Sequence, residues 1–389
     1  MDRTLQTRLV SDIFRHMAAG TTDLVPEEMQ QPVRLYFDPL HAARERTALF
    51  RSLPLVAAHG SELPAPGDFV TCDLAGTPVL IVRQDDGTVR AFTNVCRHRG
   101  TPVESEPRGN RRAFVCPFHA WSYERDGRLR GISYPEGFRG VDRSQYGLIG
   151  LAAEERHGFV WVVPAPGAAI DVAAHLGADL DRELSGWALH RSVCERSARL
   201  ENATNWKLVM DGFLEDYHLA VLHKKTVGPY FTRNLHRFEG FGPHGRLVPV
   251  RANISEVRDR LPEEVDLLHR AIIIYVLFPS AVLLWQNDHF EFWTVFPDAR
   301  DLGRCRITVR LLAPSADVVE SERALWDRNW KILLDTVEQE DWVAARGIQA
   351  GLETGGQTHF VFGRNEVALQ HFHRQLAAAV TKGEGLPCT

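Results

Sequence analysis

The sequence predicts an α+β protein, for three reasons. Short β-branched and aromatic stretches alternate with turns such as Asp126-Gly127 in the middle of the chain, which is typical of an all-β domain. The second half combines alternating stretches with longer helical patterns. Pro164, Pro166 and Gly167 mark a boundary between these regions. The predicted parts are an N-terminal helical arm (1–53), an all-β domain (54–165) and a mixed domain (166–389).

Local patterns predict the individual elements. Residues 1–36 have the pattern of a helix followed by an extended arm, and Asp38-Pro39 begins a short charged helix. Helical spacing of apolar residues predicts helices over 205–223 and 323–346. Apolar runs bounded by turn residues predict strands at 69–72, 79–82, 91–94, 159–163, 272–278, 281–285, 290–295 and 305–312.

The composition excludes several classes of function. A net charge of −5 offers no basic surface for nucleic acid. At 389 residues and 44% hydrophobic residues, the chain can bury two sizeable cores. We find no run of 18 apolar residues and no leader pattern, so we expect no membrane span and no targeting segment. The cysteines Cys72, Cys194, Cys305 and Cys388 are scattered, which predicts reduced thiols and a cytoplasmic protein.

Two cysteine–histidine pairs are the most informative local feature. Cys96 and His98 form a C-x-H pair, and Cys116 and His119 form a C-x-x-H pair, with seventeen residues between His98 and Cys116. Two thiolates and two imidazoles are the ligand set of a Rieske [2Fe–2S] centre. A structural zinc site uses the same donors but would usually space its histidines three to five residues apart. The pattern therefore favours the iron–sulfur centre.

A second metal site is indicated in the predicted helix over 205–223, which contains His218 and His223. Two histidines and one carboxylate hold the iron of non-haem Fe(II) oxygenases. A spacing of five residues rotates a regular helix by about 140°, against about 40° for a spacing of four. We therefore expect a break or a widened turn between the two histidines if both bind one metal. The carboxylate would come from elsewhere, and an acidic run offers Glu338, Glu340 and Asp341.

These segments resemble one known family. The cluster loops read Cys-Arg-His-Arg-Gly from Cys96 and Cys-Pro-Phe-His-Ala-Trp-Ser-Tyr from Cys116. The downstream segment has an Asn-Trp-Lys lead-in and ends in Glu-Asp-Tyr-His-x4-His at His223, and a Glu-Asp pair precedes a Gln-x-Gly-Leu stretch. Over residues 36–380 the chain resembles the Rieske non-haem iron ring-hydroxylating oxygenases, large (alpha) subunit family. The resemblance implies an all-β Rieske [2Fe–2S] domain and a helix-grip (START-like) catalytic domain with a curved antiparallel sheet.

The resemblance also implies a role for each candidate residue. Each chain would carry one [2Fe–2S] cluster and one Fe(II), in a homotrimer that brings the cluster of one subunit beside the iron of the next. The implied cluster ligands are Cys96, His98, Cys116 and His119. The implied iron ligands are His218, His223 and Asp341, with Glu338 and Glu340 as local rivals of Asp341. The implied electron-transfer bridge is Glu215, between His218 and His119 of the neighbouring subunit, while Asp216 should point elsewhere.

The loops also indicate the redox potential of the cluster. High-potential Rieske proteins carry an extra cysteine in each loop, joined as a disulfide, where this chain has Thr101 and Phe118. They place a serine near a cluster sulfur, where this chain has Trp121. Because fewer hydrogen bonds to sulfur lower the potential, we expect a value at the low end of the Rieske range. Ala120 replaces the usual glycine, and we expect the loop to tolerate this change.

The expected function is that of a terminal oxygenase component. Electrons would come from NAD(P)H through a separate reductase, with or without a ferredoxin, because we find no flavin or nicotinamide motif. The enzyme would use O2 to hydroxylate a small aromatic substrate, adding one or two oxygen atoms, or to remove an O- or N-methyl group as formaldehyde. Some members of the family also need a small β subunit, and the sequence is compatible with one. The expected pocket residues are Ile274, Val276, Phe278, Val282, Leu283 and Trp285.

Two other classes remain open. A Rieske electron carrier with a non-catalytic C-terminal domain would bind no mononuclear iron, so His218, His223 and Asp341 could be replaced without redox consequence. A zinc-stabilised binding module would be colourless. We expect His371 and His373 to lie at the surface or at an interface rather than to bind metal.

Overall fold

The computed structural model describes residues 1–314, 320–352 and 354–383, so Cys388 lies outside the described residues. Within these ranges no helix is long and apolar enough to cross a membrane, and no disulfide joins the five cysteines. The chain folds as two compact units. The smaller unit contains Arg46–His175 and Ala188–Arg191, and the larger contains Met1–Glu45, Leu176–Trp187 and Ser192–Thr389.

The α+β fold class is confirmed, and the N-terminal arm forms as expected. The first helix begins after Asp2, whose carboxylate accepts a hydrogen bond from Leu5 N (2.8 Å), and ends at Gly20, which has a φ of +61°. An extended strand follows, β1 (Met29–Pro32). The α-helices of the described chain are α1 (Arg3–Ala19), α2 (Pro39–Glu45), α3 (Val172–Leu176), α4 (Ala178–Ser185), α5 (Trp206–Phe213), α6 (Glu320–Thr336), α7 (Trp342–Leu352) and α8 (Val367–Gly383).

The smaller unit is built on strands, as predicted. Its main sheet has seven antiparallel strands in the order β2-β11-β10-β5-β4-β3-β6, and a second sheet has the order β7-β8-β9. The four strands predicted from sequence correspond to β3, β4, β5 and β11. The strands are β2 (Leu55–His59), β3 (Asp68–Leu74), β4 (Thr77–Arg83), β5 (Val89–Thr93), β6 (Arg108–Asn110), β7 (Phe114–Val115), β8 (Ser122–Tyr123), β9 (Leu129–Gly131), β10 (Gly150–Arg156) and β11 (Phe159–Pro166).

The larger unit contains a curled, seven-stranded antiparallel sheet in the order β12-β18-β17-β16-β15-β14-β13. Strands β15 to β18 match the four predicted ones. The sequence did not indicate β12, because its polar residues alternate between intermediate and exposed positions at the sheet edge. The strands are β12 (Val193–Asn202), β13 (Phe231–Phe241), β14 (His244–Arg251), β15 (Ile273–Leu277), β16 (Ala281–Trp285), β17 (Phe290–Pro297), β18 (Cys305–Ala313) and β19 (His359–Phe362), which pairs with β1.

The predicted helix over 205–223 is wrong in its second half, because α5 ends at Phe213. The chain then continues in turns that carry both histidines. The Glu215 carboxylate accepts the backbone N–H of His218 (3.0 Å), and Leu214 N closes on Asp211 O (3.0 Å). Such local side-chain bonds offer the backbone an alternative to the helix. The expected break therefore occurs before His218 rather than between the histidines.

A widened turn occurs instead in the other metal-bearing segment. The predicted helix over 323–346 forms as α6 and α7, and between them Val337–Asp341 make a single π-helical turn. A π turn inserts one extra residue into a helix and is frequent at functional sites. It places Asp341 at the junction with α7.

The Asn-Trp-Lys lead-in has a structural role in the larger unit. The Asn205 side chain accepts the N–H of Lys207 (3.0 Å) and caps α5, while its amide donates to Tyr36 O (2.7 Å). The Lys207 ammonium lies 2.7 Å from Glu45, and both side chains are buried. Burial raises the pKa of Glu45, but Lys207 and the hydrogen bond from His41 outweigh it, so the pKa is lowered. These contacts fix the start of the segment that carries the histidines.

Candidate iron–sulfur and iron sites

The two cysteine loops of the smaller unit share one backbone geometry. In the first, Cys96 N donates to Thr101 O (2.9 Å) and Gly100 N donates to Cys96 O (2.9 Å). In the second, Cys116 N donates to Trp121 O (2.8 Å) and Ala120 N donates to Cys116 O (3.0 Å). Gly100 and Ala120 both have positive φ, +83° and +58°. A left-handed alanine costs about 1–2 kcal/mol, so the loop tolerates Ala120 with some strain.

The two imidazoles of these loops lie close together, and so do the two thiols. The rings of His98 and His119 are 4.7 Å apart, and Cys96 and Cys116 are buried. Burial raises the pKa of the Cys116 thiol, and the neighbouring Cys96 raises it further. Burial and His119 lower the pKa of His98. His98 Nδ1 is buried and has no hydrogen-bond partner among the described residues. A buried imidazole nitrogen without a partner, in loops that also supply two buried thiols, fits the donor set of a [2Fe–2S] cluster.

Aromatic side chains surround these donors. Trp121 stacks on His98 with ring centroids 4.9 Å apart and an interplanar angle of 6°. The Tyr123 hydroxyl lies 3.3 Å from Cys96 Sγ and accepts the N–H of Arg97 (3.0 Å). A cysteine bound to a cluster is a thiolate without a proton, so in the loaded protein the Tyr123 hydroxyl would be the donor to sulfur. The sequence analysis gave Tyr123 no role, although this residue ends the second loop string.

Replacing Tyr123 with phenylalanine is expected to lower the reduction potential of the cluster by about 60 mV, the equivalent of one net hydrogen bond of about 1.4 kcal/mol. The reduced cluster carries more negative charge on sulfur and therefore loses more when the donor is removed. The measurement is a redox titration followed by EPR. Tyr134→Phe is the control, since Tyr134 is 80% exposed. An unchanged or higher potential in Tyr123→Phe would contradict the assignment.

The predicted iron ligands of the larger unit also lie together. His218, His223 and Asp341 each offer one donor atom, and these atoms lie within 4.8 Å of one another. Asp341 Oδ1 is 3.1 Å from His223 Nε2 and 3.6 Å from His218 Nε2. The backbone of His223 is held in its turn by Thr226 and Gly228, whose N–H groups donate to His223 O. Two imidazoles and one carboxylate around one point fit the ligand set of a mononuclear Fe(II).

The rival carboxylates separate in the structure. Glu340 Oε2 lies 2.5 Å from His223 Nδ1 and accepts the Thr226 hydroxyl (2.7 Å), so it orients the histidine from the side opposite Asp341. Burial lowers the pKa of His223, but Asp341 and Glu340 outweigh it and raise it. Glu338 is exposed and lies outside the triad. The orienting role of Glu340 could have been predicted from the Glu-Asp dipeptide. Metal-binding histidines usually donate a hydrogen bond from their second ring nitrogen to a carboxylate, and Glu340 is the carboxylate next to Asp341.

Three acidic residues near the triad, Asp211, Glu215 and Asp216, each contact a different histidine. Glu215 forms a short contact with His218 Nδ1, and its role as a bridge between subunits stays a prediction. Asp216 points elsewhere, as predicted, and pairs with buried His236 at 2.8 Å. His373 is buried rather than at the surface, which corrects the expectation. It lies 2.8 Å from Asp211.

Two family models match this chain. The model of the Rieske [2Fe-2S] domain matches residues 54–141, and the model of the ring hydroxylating alpha subunit (catalytic domain) matches residues 189–382. The chain belongs to the Rieske ring-hydroxylating oxygenase family. Proteins of this family carry a [2Fe–2S] cluster and a non-haem iron, and they use O2 with electrons from a reductase. The resemblance drawn from the sequence is confirmed.

Individual relatives of the Rieske-family chain differ in their substrates. The glycine betaine monooxygenase oxygenase subunit of Chromohalobacter salexigens is 32% identical over 230 residues, which cover 57% of this chain and 50% of that protein. The anthranilate 1,2-dioxygenase large subunit of Acinetobacter baylyi is 32% identical over 224 residues, which cover 55% and 47%. The chain thus spans about half the length of the curated relatives it matches. A solved quaternary ammonium Rieske monooxygenase has a TM-score of 0.76 at 19% identity, over 96% of this chain and 98% of that one, which shows the fold.

A cavity of about 910 Å³ in the larger unit of the Rieske-family chain is lined by all three triad residues. The predicted pocket is largely wrong, since only Ile274 of its six residues lines this cavity. Ile274 and Leu284 are register partners on β15 and β16, and both line it. The next pair on the same face, Val276 and Val282, does not. Side chains alternate between the two faces of a sheet, so both pairs lie on the same face. The cavity therefore borders only the end of that face that carries Ile274 and Leu284.

Proposed function

We propose that this chain is the terminal oxygenase component of a multicomponent Rieske oxygenase, and that it hydroxylates or demethylates a small organic substrate with O2. The observation that carries the proposal is the triad of His218, His223 and Asp341 at the wall of a large cavity. Three protein ligands leave positions open for oxygen on a non-haem Fe(II). When bound, the iron supplies oxygen activation and the cluster supplies electrons.

The protein's own groups would hold and orient these centres. Cys96, His98, Cys116 and His119 would bind the cluster, and Glu340 would fix the ring of His223. Glu215, already in contact with His218, would bridge to His119 of a neighbouring subunit in a homotrimer. A reductase, with or without a ferredoxin, would deliver electrons from NAD(P)H. The domain boundaries after residues 53 and 165 and the cytoplasmic location of the protein remain predictions.

The relatives narrow the chemistry of the substrate without fixing it. One acts on glycine betaine, a quaternary amine, and the other on anthranilate, an aromatic amine. Loss of an N-methyl group as formaldehyde and hydroxylation of an aromatic ring are therefore both proposed outcomes. Both of these compounds also carry a carboxylate. An electron carrier with a non-catalytic C-terminal domain is less well supported, because it would have no use for a converged triad beside a cavity.

The test combines metal analysis with turnover. Anaerobically purified, dithionite-reduced protein is expected to contain about three iron atoms per chain and to give a Rieske-type EPR signal. His218→Ala is expected to lose one iron and keep that signal. With a surrogate reductase and a panel of methylated amines and aromatic acids, wild-type protein should couple O2 uptake to product. About two irons in both proteins would indicate an electron carrier, and zinc without colour would refute the proposal.

A further inference from the structure

An arginine lines the cavity that also holds the triad. Arg251 is the last residue of β14, and its side chain faces the same space as Ile274, Leu284 and Asp341. Placing a guanidinium in a partly apolar, partly buried cavity is unfavourable unless hydrogen bonds or an anion compensate the lost hydration. The partners of Arg251 therefore indicate what this end of the cavity is built to bind.

Protein contacts hold the guanidinium but do not satisfy it. Arg251 donates from Nη2 to Gln286 Oε1 (3.1 Å), and its Cζ lies 5.6 Å from the ring centroid of Phe231. Its Nε is buried and has no hydrogen-bond partner among the described residues. Glu291 and Asp288 act on the guanidinium through their charge, without a hydrogen bond to it. One N–H of Nη2 and one face of the group are engaged, and further N–H groups, including that of Nε, remain for a planar acceptor.

The nearby acids Glu291 and Asp288 compensate the charge of Arg251 only in part. Asp288 accepts hydrogen bonds from His289 Nδ1 (2.7 Å) and Trp326 Nε1 (3.1 Å), so its oxygens are engaged. Glu291 is buried on β17, and burial raises its pKa, which disfavours its charged form. Burial lowers the pKa of Arg251, and the charges of Glu291 and Asp288 raise it by less, so the folded protein alone leaves this cation under-compensated.

We propose that Arg251 binds the carboxylate of the substrate, so that the substrate of this enzyme is an organic acid. This inference rests on the proposed function, because it gives the cavity beside the triad its substrate class. A carboxylate could accept from Nε and one terminal nitrogen in the paired geometry that arginine favours. The rest of the molecule would extend along the apolar wall towards the triad.

The test compares acids with their amides by isothermal titration calorimetry on the iron-loaded protein, without reductase or O2. The pairs are benzoate and benzamide, anthranilate and anthranilamide, and glycine betaine and its amide. At least one acid is expected to bind wild-type protein tenfold or more tightly than its amide. Arg251→Gln should weaken that acid about 10- to 100-fold and its amide less than threefold, and Arg251→Lys should restore part of the preference.

The controls separate this inference from folding and from turnover. Arg258→Gln removes a 69% exposed arginine shortly after β14 and should leave every affinity unchanged. If Arg251→Gln does not fold, the acid–amide ratio of the wild type and Arg251→Lys decides. Absence of acid binding, equal binding of acids and amides, or equal losses for both in Arg251→Gln would overturn the inference. Acid-selective binding without any O2-coupled turnover would refute the proposed function alone.

Discussion

Replacing Asp341 with alanine is expected to remove the mononuclear iron and to abolish substrate turnover while leaving the cluster intact. Asp341 Oδ1 lies 3.1 Å and 3.6 Å from the Nε2 atoms of His223 and His218, so it is the acceptor on which both imidazoles converge. Without it the site has two neutral ligands for a divalent ion. Iron analysis and EPR would show about two irons per chain with an unchanged Rieske signal.

The two neighbouring glutamates provide matched controls for this experiment. Glu340→Gln is expected to keep the iron but to weaken its binding about 10- to 100-fold, because the carboxylate that orients His223 is lost. Glu338→Ala should change nothing, since Glu338 is exposed and outside the triad. A full iron content in Asp341→Ala, together with iron loss in Glu340→Ala, would transfer the ligand role to Glu340.

Replacing Glu215 with glutamine is expected to reduce turnover about 10- to 100-fold while both metal centres stay loaded. Glu215 contacts His218 Nδ1 and also accepts the backbone N–H of His218 (3.0 Å). Glutamine keeps the size but loses the negative charge that would join two imidazoles across a subunit interface. Loss of this contact should weaken iron binding, as in Glu340→Gln, so Fe(II) is supplied in excess to fill the site. Electrons from the cluster should then still reach the loaded site slowly.

A single-turnover experiment separates this effect from a loss of substrate binding. Protein with a reduced cluster is mixed with O2 and a compound of the panel that supports turnover, and cluster oxidation is followed by visible absorbance. Cluster oxidation should slow in Glu215→Gln and remain normal in Glu338→Gln. Equal rates in Glu215→Gln and wild-type protein would show that electrons take another route. Iron loss in Glu215→Gln despite excess Fe(II) would make this residue a support of the metal site.

The cluster loops were the most predictable part of this chain, because their donors are local. Cys96 and His98, like Cys116 and His119, lie within single turns, so spacing alone specifies their geometry. The strands β15 to β18 were also recoverable, since their buried apolar residues are continuous in sequence. The resemblance selected Asp341 over its neighbours, and the structure places it with the two histidines.

The errors have identifiable physical causes. The helix over 205–223 was extended too far because apolar periodicity does not register that Glu215 bonds the backbone of His218. The pocket was misplaced because periodicity identifies the buried face of a strand. It does not indicate which end of that face borders a cavity and which end is packed against other side chains. Arg251 and Tyr123 were missed because their importance depends on partners distant in sequence, Gln286 and Cys96.

The segment formed by α6, the π turn and α7 contributes both to the metal site and to the wall of the cavity. It supplies Asp341, and it also supplies part of the cavity wall, including Leu325, Asn329, Ile332, Leu333, Ala345 and Ile348. Enlarging the cavity from this side changes the segment that carries Asp341. Broadening the substrate range is therefore better attempted from the sheet, at Ile274 and Leu284, whose strands carry none of the three triad residues.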